Sequence, residues 1–164
     1  MRLEGSDGQS VTVGVTGYQF PDLSEAEDDS NWLVIRVDVV HPRGSWQASD
    51  PSLLTYELAR LADWLDSVAS GNWAKAEIGF TEPNLELQVI DAGGVRKLRV
   101  QFDLELRPAW APAQEAGAGD VWVEFDIREL DLHAAAVDLR KHLERYPQRA
   151  AHAVRGGGRT SGSS

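Results

Sequence analysis

The side chains best suited to chemistry in this 164-residue sequence are its 26 carboxylates. Two pairs fall at i,i+2 spacing, Asp103 with Glu105 and Glu124 with Asp126, in segments where apolar and polar residues alternate. An extended chain advances about 3.3 Å per residue, so each pair would stand roughly 6.5–7 Å apart on the wet side of a strand. That separation suits acid and base work on a glycosidic bond, or shared ligation of a hard cation. A solvated sheet face, with Arg99 and Arg107 neutralising the acids, accounts for the same residues more simply. Asp63 and Asp66 present the same choice.

Other reactive groups lack the spacing their chemistry demands. His41, His133, His142 and His152 include no i,i+4 pair of the kind that holds zinc on a helix. No serine lies in a nucleophile-elbow pattern. Ala92-Gly93-Gly94 reads as a hairpin turn and Gly117-Ala118-Gly119 as a loop, neither followed by the lysine and helix start of a phosphate cradle. There is no cysteine, hence no thiolate, disulfide or cysteine-held metal. The residues imply no catalytic centre, metal or cofactor. The alternative is a small-ligand binder or hydrolase built on Glu124 and Asp126, which would need a pocket with an apolar wall and a carboxylate of perturbed pKa.

Charge points toward a partner instead. The chain carries 16 basic residues, 13 of them arginine, and a net charge of −10. Arg149, Arg155 and Arg159 are its only fully charged residues after Tyr146, so the body before them holds all 26 acids against 13 bases, a charge of −13. Such a surface repels nucleic acid and anionic membranes, and a basic protein is its natural complement. Five acids crowd one segment without a basic neighbour: Asp22, Glu25, Glu27, Asp28 and Asp29. Self-repulsion makes it a solvated excursion. The start lacks the apolar stretch of a secretory signal, and no apolar run approaches the roughly 20 residues of a membrane span. The expected location is the cytoplasm, and the arginine and alanine bias suits a GC-rich bacterium.

The elements that must position these groups follow from periodicity. Val11, Val13 and Val15 mark a strand, and Leu33, Ile35, Val37 and Val39 the dry face of another. Ser45 to Ser49 can return as a short strand. Asp50-Pro51 offers a cap and a first-turn proline for a helix striped by Leu54, Leu58, Leu61, Leu65 and Val68. Strand periodicity resumes at Ile78 and Phe80, at Leu85, Leu87 and Val89, at Leu98 to Leu106, and at Val121 to Ile127. Asp131 caps a last helix, striped by Leu132, Ala135, Ala136, Leu139 and Leu143 and closed by Pro147. Strict alternation calls for antiparallel pairing with one wet face. The expected fold is α+β: a largely antiparallel sheet of about six to seven strands packed with two amphipathic helices. Residues 1–147 form one domain, and 148–164 a basic, Gly/Ser-rich tail expected to be disordered. Among the tryptophans, Trp64 belongs to the core, Trp32 and Trp122 fall on polar strand faces, and Trp46, Trp73 and Trp110 sit near turns. Trp32 or Trp46 could anchor an interface beside the acidic segment.

Five short segments in order, Gly17-Tyr18-Gln19-Phe20-Pro21, Asp29-Ser30-Asn31-Trp32-Leu33, Leu53-Leu54-Thr55-Tyr56-Glu57-Leu58, Phe80-Thr81-Glu82-Pro83-Asn84-Leu85 and Glu105-Leu106-Arg107-Pro108-Ala109-Trp110, carry a resemblance. Together they resemble the WapI-type family of bacterial immunity proteins, over roughly residues 3–147. The resemblance implies a non-enzymatic cytosolic inhibitor that binds a cognate contact-dependent toxin domain, in several systems a nuclease. It assigns no contact residue. A housekeeping interaction module with another partner is the third reading.

Overall fold

The computed structural model describes residues 1–23, 28–111 and 121–149. Four strands, β1 (Arg2–Glu4), β2 (Ser10–Tyr18), β3 (Trp32–Val40) and β4 (Trp46–Leu54), pair in that order. β5 (Glu77–Ile78), β6 (Leu85–Ala92), β7 (Val95–Phe102) and β8 (Val121–Asp126) make a second sheet in chain order. Every pairing is antiparallel. Helix α1 (Thr55–Ala69) separates the sheets in sequence, and α2 (Leu132–Arg145) follows them. The α+β class therefore holds, with the strands divided between two sheets and with β1 added by a short segment that periodicity passed over.

Alternation explains the packing. Val11, Val13, Leu33, Ile35, Val37 and Val39 of the first sheet and Leu87, Leu98, Val100, Val123 and Phe125 of the second enter one buried cluster. Leu58, Leu61 and Leu65 of α1 and Ala135, Ala136 and Leu139 of α2 enter it too. Two residues turn the β6–β7 hairpin: Gly93 and Gly94, both at positive φ (67° and 86°), between the paired Ala92 and Val95. That backbone is open to glycine and strained for most other residues. α1 and α2 are joined across their exposed sides by Arg140, which reaches Asp63 at 2.8 Å and Asp66 at 2.6 Å.

Asp50-Pro51 does not start α1. Both residues continue β4, and the helix begins at Thr55. Proline is tolerated there because β4 is an edge strand and the register slips beside it: Leu33 pairs with Leu53 but Val34 with Pro51, leaving Ser52 as a bulge. The helix start is served by Glu57, whose carboxylate accepts from the Leu54 amide at 3.0 Å. The strand expected to run to Leu106 stops at Phe102. Asp103 accepts from the Leu104 amide at 2.8 Å and opens a 3-10 turn, Leu104–Leu106, in which Leu104 adopts φ 46° and is 43% exposed. β8 likewise ends at Asp126, with Ile127 in a 3-10 turn. Asp131 caps α2 as expected, accepting from the Ala134 amide at 2.9 Å.

Candidate partner-binding surface

The acidic excursion leaves β2 at Tyr18 and returns to β3 at Trp32. Asp22 and Asp29 are exposed at its two ends. Glu25 and Glu27 lie outside the described residues, as does the side chain of Asp28. The stems are held tightly: the Gln19 amide donates to the Trp32 carbonyl at 2.8 Å, and buried Asn31 accepts from the Thr55 hydroxyl at 3.0 Å. The excursion is thereby moored to the first residue of α1. Trp32 is half-buried beside it.

The same helix turn moors a second acidic segment. Glu57, 2% exposed, accepts from the amide and hydroxyl of Thr81 at 2.8 and 2.7 Å. Glu82 follows at once, and buried Asn84 then donates its side-chain amide to Glu105 at 3.0 Å and to Asp50 at 3.4 Å. Burial, then the Glu105 and Glu82 charges, push the Asp50 carboxyl above its ordinary range. Among the described residues no lysine or arginine pairs with Asp22, Asp29, Asp50, Glu82 or Glu105. The sequence offers the contiguous excursion as the acidic surface, Glu105 only as the companion of Asp103 and Asp50 only as a cap. Asp50, Glu82 and Glu105 come from three separate segments, and nothing in their spacing announces that Asn84 joins Asp50 to Glu105.

Trp46 is turned into the core. It is 9% exposed, its indole N–H donates to the Leu106 carbonyl at 3.0 Å, and its ring meets Phe102 and Trp110 edge-on at 5.3 and 5.9 Å. A tryptophan with its polar atom satisfied inside the fold is a packing residue. Trp110, in turn, donates to the Gly44 carbonyl at 3.0 Å, stacks on His41 at 5.5 Å and lies under Arg43 at 4.6 Å, fixing the β3–β4 turn. Trp64 is core, as expected. Trp122 is 37% exposed on the outer face of β8, with Arg99 4.7 Å above its ring.

Of the carboxylate pairs, every member but Glu105 is paired with a basic side chain rather than poised for chemistry. Glu124 meets Arg99 at 2.6 Å and Lys97 at 3.6 Å. Hydrogen bonds from the Arg128 side chain and amide bring the Asp126 carboxyl down to about 2, the opposite of what a proton donor near neutrality requires. Asp103 serves the turn at Leu104 and meets Arg107 at 3.5 Å, so it does not stand with Glu105 on a strand. His133 lies 2.8 Å from Asp66, and hydrogen bonds from His133 and then Arg140 hold that carboxyl below the usual range. Among the described residues no three histidine or acidic side chains are placed to hold a metal. A shallow hollow of about 480 Å3 crosses the first sheet beside Arg2, Thr12, Asp38 and Gln47. Its one acid is tied to Arg36 at 3.1 Å.

No helix among the described residues is long and apolar enough to cross a membrane. Comparison with curated proteins and with solved structures found no match to this chain. A family model, described as the immunity protein WapI-like family, matches residues 2–147. The match spans both sheets, both helices and all five of the segments that carry the resemblance, and on that extent the chain belongs to the WapI-like immunity protein family.

Proposed function

We propose that this protein works in the bacterial cytoplasm, binding and neutralising a cognate contact-dependent toxin domain without chemistry of its own. Membership of the immunity family supports that role. The observation that carries the mode of binding is a set of acids without basic partners among the described residues: Asp22, Asp29 and Glu82 on two segments moored on the first turn of α1, with Asp50 and Glu105 joined to the second of these by Asn84. Unneutralised acids add long-range attraction toward a basic surface and raise the association rate, whereas the ion-paired acids on the outer face of the second sheet add little. A nuclease is the toxin class that fits best, because it must display a basic groove to hold its polyanionic substrate. Covering that groove would keep substrate out. Trp32 is the aromatic contact at the edge of this surface.

Co-expression with the C-terminal domain encoded by the neighbouring toxin gene tests this. The expected result is rescue of growth and co-purification of the two chains, with binding that weakens as salt rises. Persistent toxicity, or a complex whose association ignores salt, would reject the proposal.

A further inference from the structure

Arg149 lies two residues beyond Pro147, and it touches both ends of the acidic excursion. Its amide donates to the Asn31 side-chain oxygen at 2.8 Å, and its guanidinium donates to the Phe20 carbonyl at 3.0 Å. The same guanidinium lies 3.6 Å from the centre of the Tyr18 ring. The neighbouring residues join in: the Tyr18 hydroxyl donates to the Pro147 carbonyl at 2.5 Å, and Tyr146 meets Tyr18 edge-on at 5.6 Å while donating to the Thr16 carbonyl at 3.2 Å. Residues 146–149 thus form a strap across the base of the excursion.

The chemistry of this strap is informative. Among the described residues Arg149 forms no ion pair with a carboxylate, although it stands beside an acidic segment. It uses its planar, multidentate head to join a carbonyl before the excursion and an aromatic ring, while its amide takes the side chain that closes the excursion. Fixing the two ends of a loop removes disorder that binding would otherwise have to remove.

We infer that Arg149 is a positioning residue for partner binding: it clamps Phe20 and Asn31 so that Asp22, Asp29 and Trp32 are presented in one arrangement. This rests on the proposal that the excursion meets a basic toxin domain. Positioning and simple electrostatics differ in sign here. Loss of a positive charge makes the surface more acidic and should speed association with a basic partner. Loss of the clamp should weaken it.

The test compares wild type, Arg149→Ala and Arg149→Lys in two measurements, at a temperature where thermal melts show all three folded. In the isolated protein, amide exchange at residues 17–20 and 28–32 is expected to rise roughly tenfold in Arg149→Ala, the scale of one lost charge-assisted hydrogen bond. Binding to the C-terminal domain of the neighbouring toxin is expected to weaken by roughly three- to tenfold, with Arg149→Lys between the two because it keeps the charge but not the fork. Unchanged exchange in Arg149→Ala, or binding as tight as wild type or tighter, overturns the inference. A wild-type protein that itself fails to bind counts against the toxin proposal and withdraws this inference with it, whereas failure of the variants alone to weaken binding removes only the positioning role.

Discussion

Thr81 gives Glu57 two hydrogen bonds, from its amide at 2.8 Å and its hydroxyl at 2.7 Å, across 24 residues of sequence. With the Leu54 amide at 3.0 Å, three donors converge on a carboxylate that is almost wholly buried. One side chain therefore starts α1 and holds the segment that carries Glu82. Glu57→Ala leaves these donors unsatisfied, and urea unfolding should show a loss of about 2–4 kcal/mol. Glu57→Gln, which keeps an acceptor, should lose less.

Lysine at the exposed ends of the excursion should act on rate rather than on the fold. Asp22→Lys combined with Asp29→Lys is expected to leave unfolding stability within about 0.5 kcal/mol of wild type, as surface changes usually do. Stopped-flow association with the toxin domain should slow markedly and lose much of its salt dependence. Equal rates and equal salt slopes would exclude the excursion from the interface.

Trp46 should show the reverse pattern. Trp46→Ala opens the core where the ring meets Phe102 and Trp110, and should cost roughly 3–5 kcal/mol in urea unfolding. Trp46→Phe keeps much of the volume, strands the Leu106 carbonyl and should cost less. At temperatures where Trp46→Phe is folded, toxin affinity is expected to stay at the wild-type value, because the ring is not on the surface.

Gly44 sits at φ 137°, and a Cβ there would come within 3.1 Å of the Trp110 indole nitrogen. Gly44→Ala therefore meets both backbone strain and a clash, and a loss of about 1–3 kcal/mol is expected. Near-ultraviolet circular dichroism should report the shifted Trp110.

Stability should also fall on mild acidification. His142 is held below its ordinary value near 6.5, first by burial, then by the Met1 amino group, with Arg145 adding to the effect and Asp138 opposing it. His41 is lowered by burial and by Arg43. The folded protein thus binds these protons less readily than the unfolded chain. Their contribution is complete above 6.5 and is lost as pH falls from there through the lower folded values. Thermal midpoints of wild type should drop between about pH 7 and 5, and His142→Gln should flatten that slope.

Much of the scaffold was legible because it depends on periodicity. The valines of β2, the leucine stripe of α1 and the cap at Asp131 act within a few residues of themselves, so the chain announces them. Asp50-Pro51 misled for the same reason: its helix-start chemistry is local, while the Ser52 bulge that keeps it in β4 exists only against Leu33 and Val34. Trp46 beside a turn looked available because its proximity to Phe102 and Leu106 is tertiary.

By itself, then, the sequence determined the antiparallel α+β class, the acidic balance and the family resemblance, all properties of composition and short-range pattern. Only the tertiary structure decided how the eight strands of the described residues divide into two sheets, and which acids are neutralised by arginine. It also decided that Asn31 and Glu57 moor two acidic segments to one helix turn, with Arg149 strapping the first of them. Hydrogen bonds between residues 24 to 129 positions apart form only once a shared core has brought the segments together.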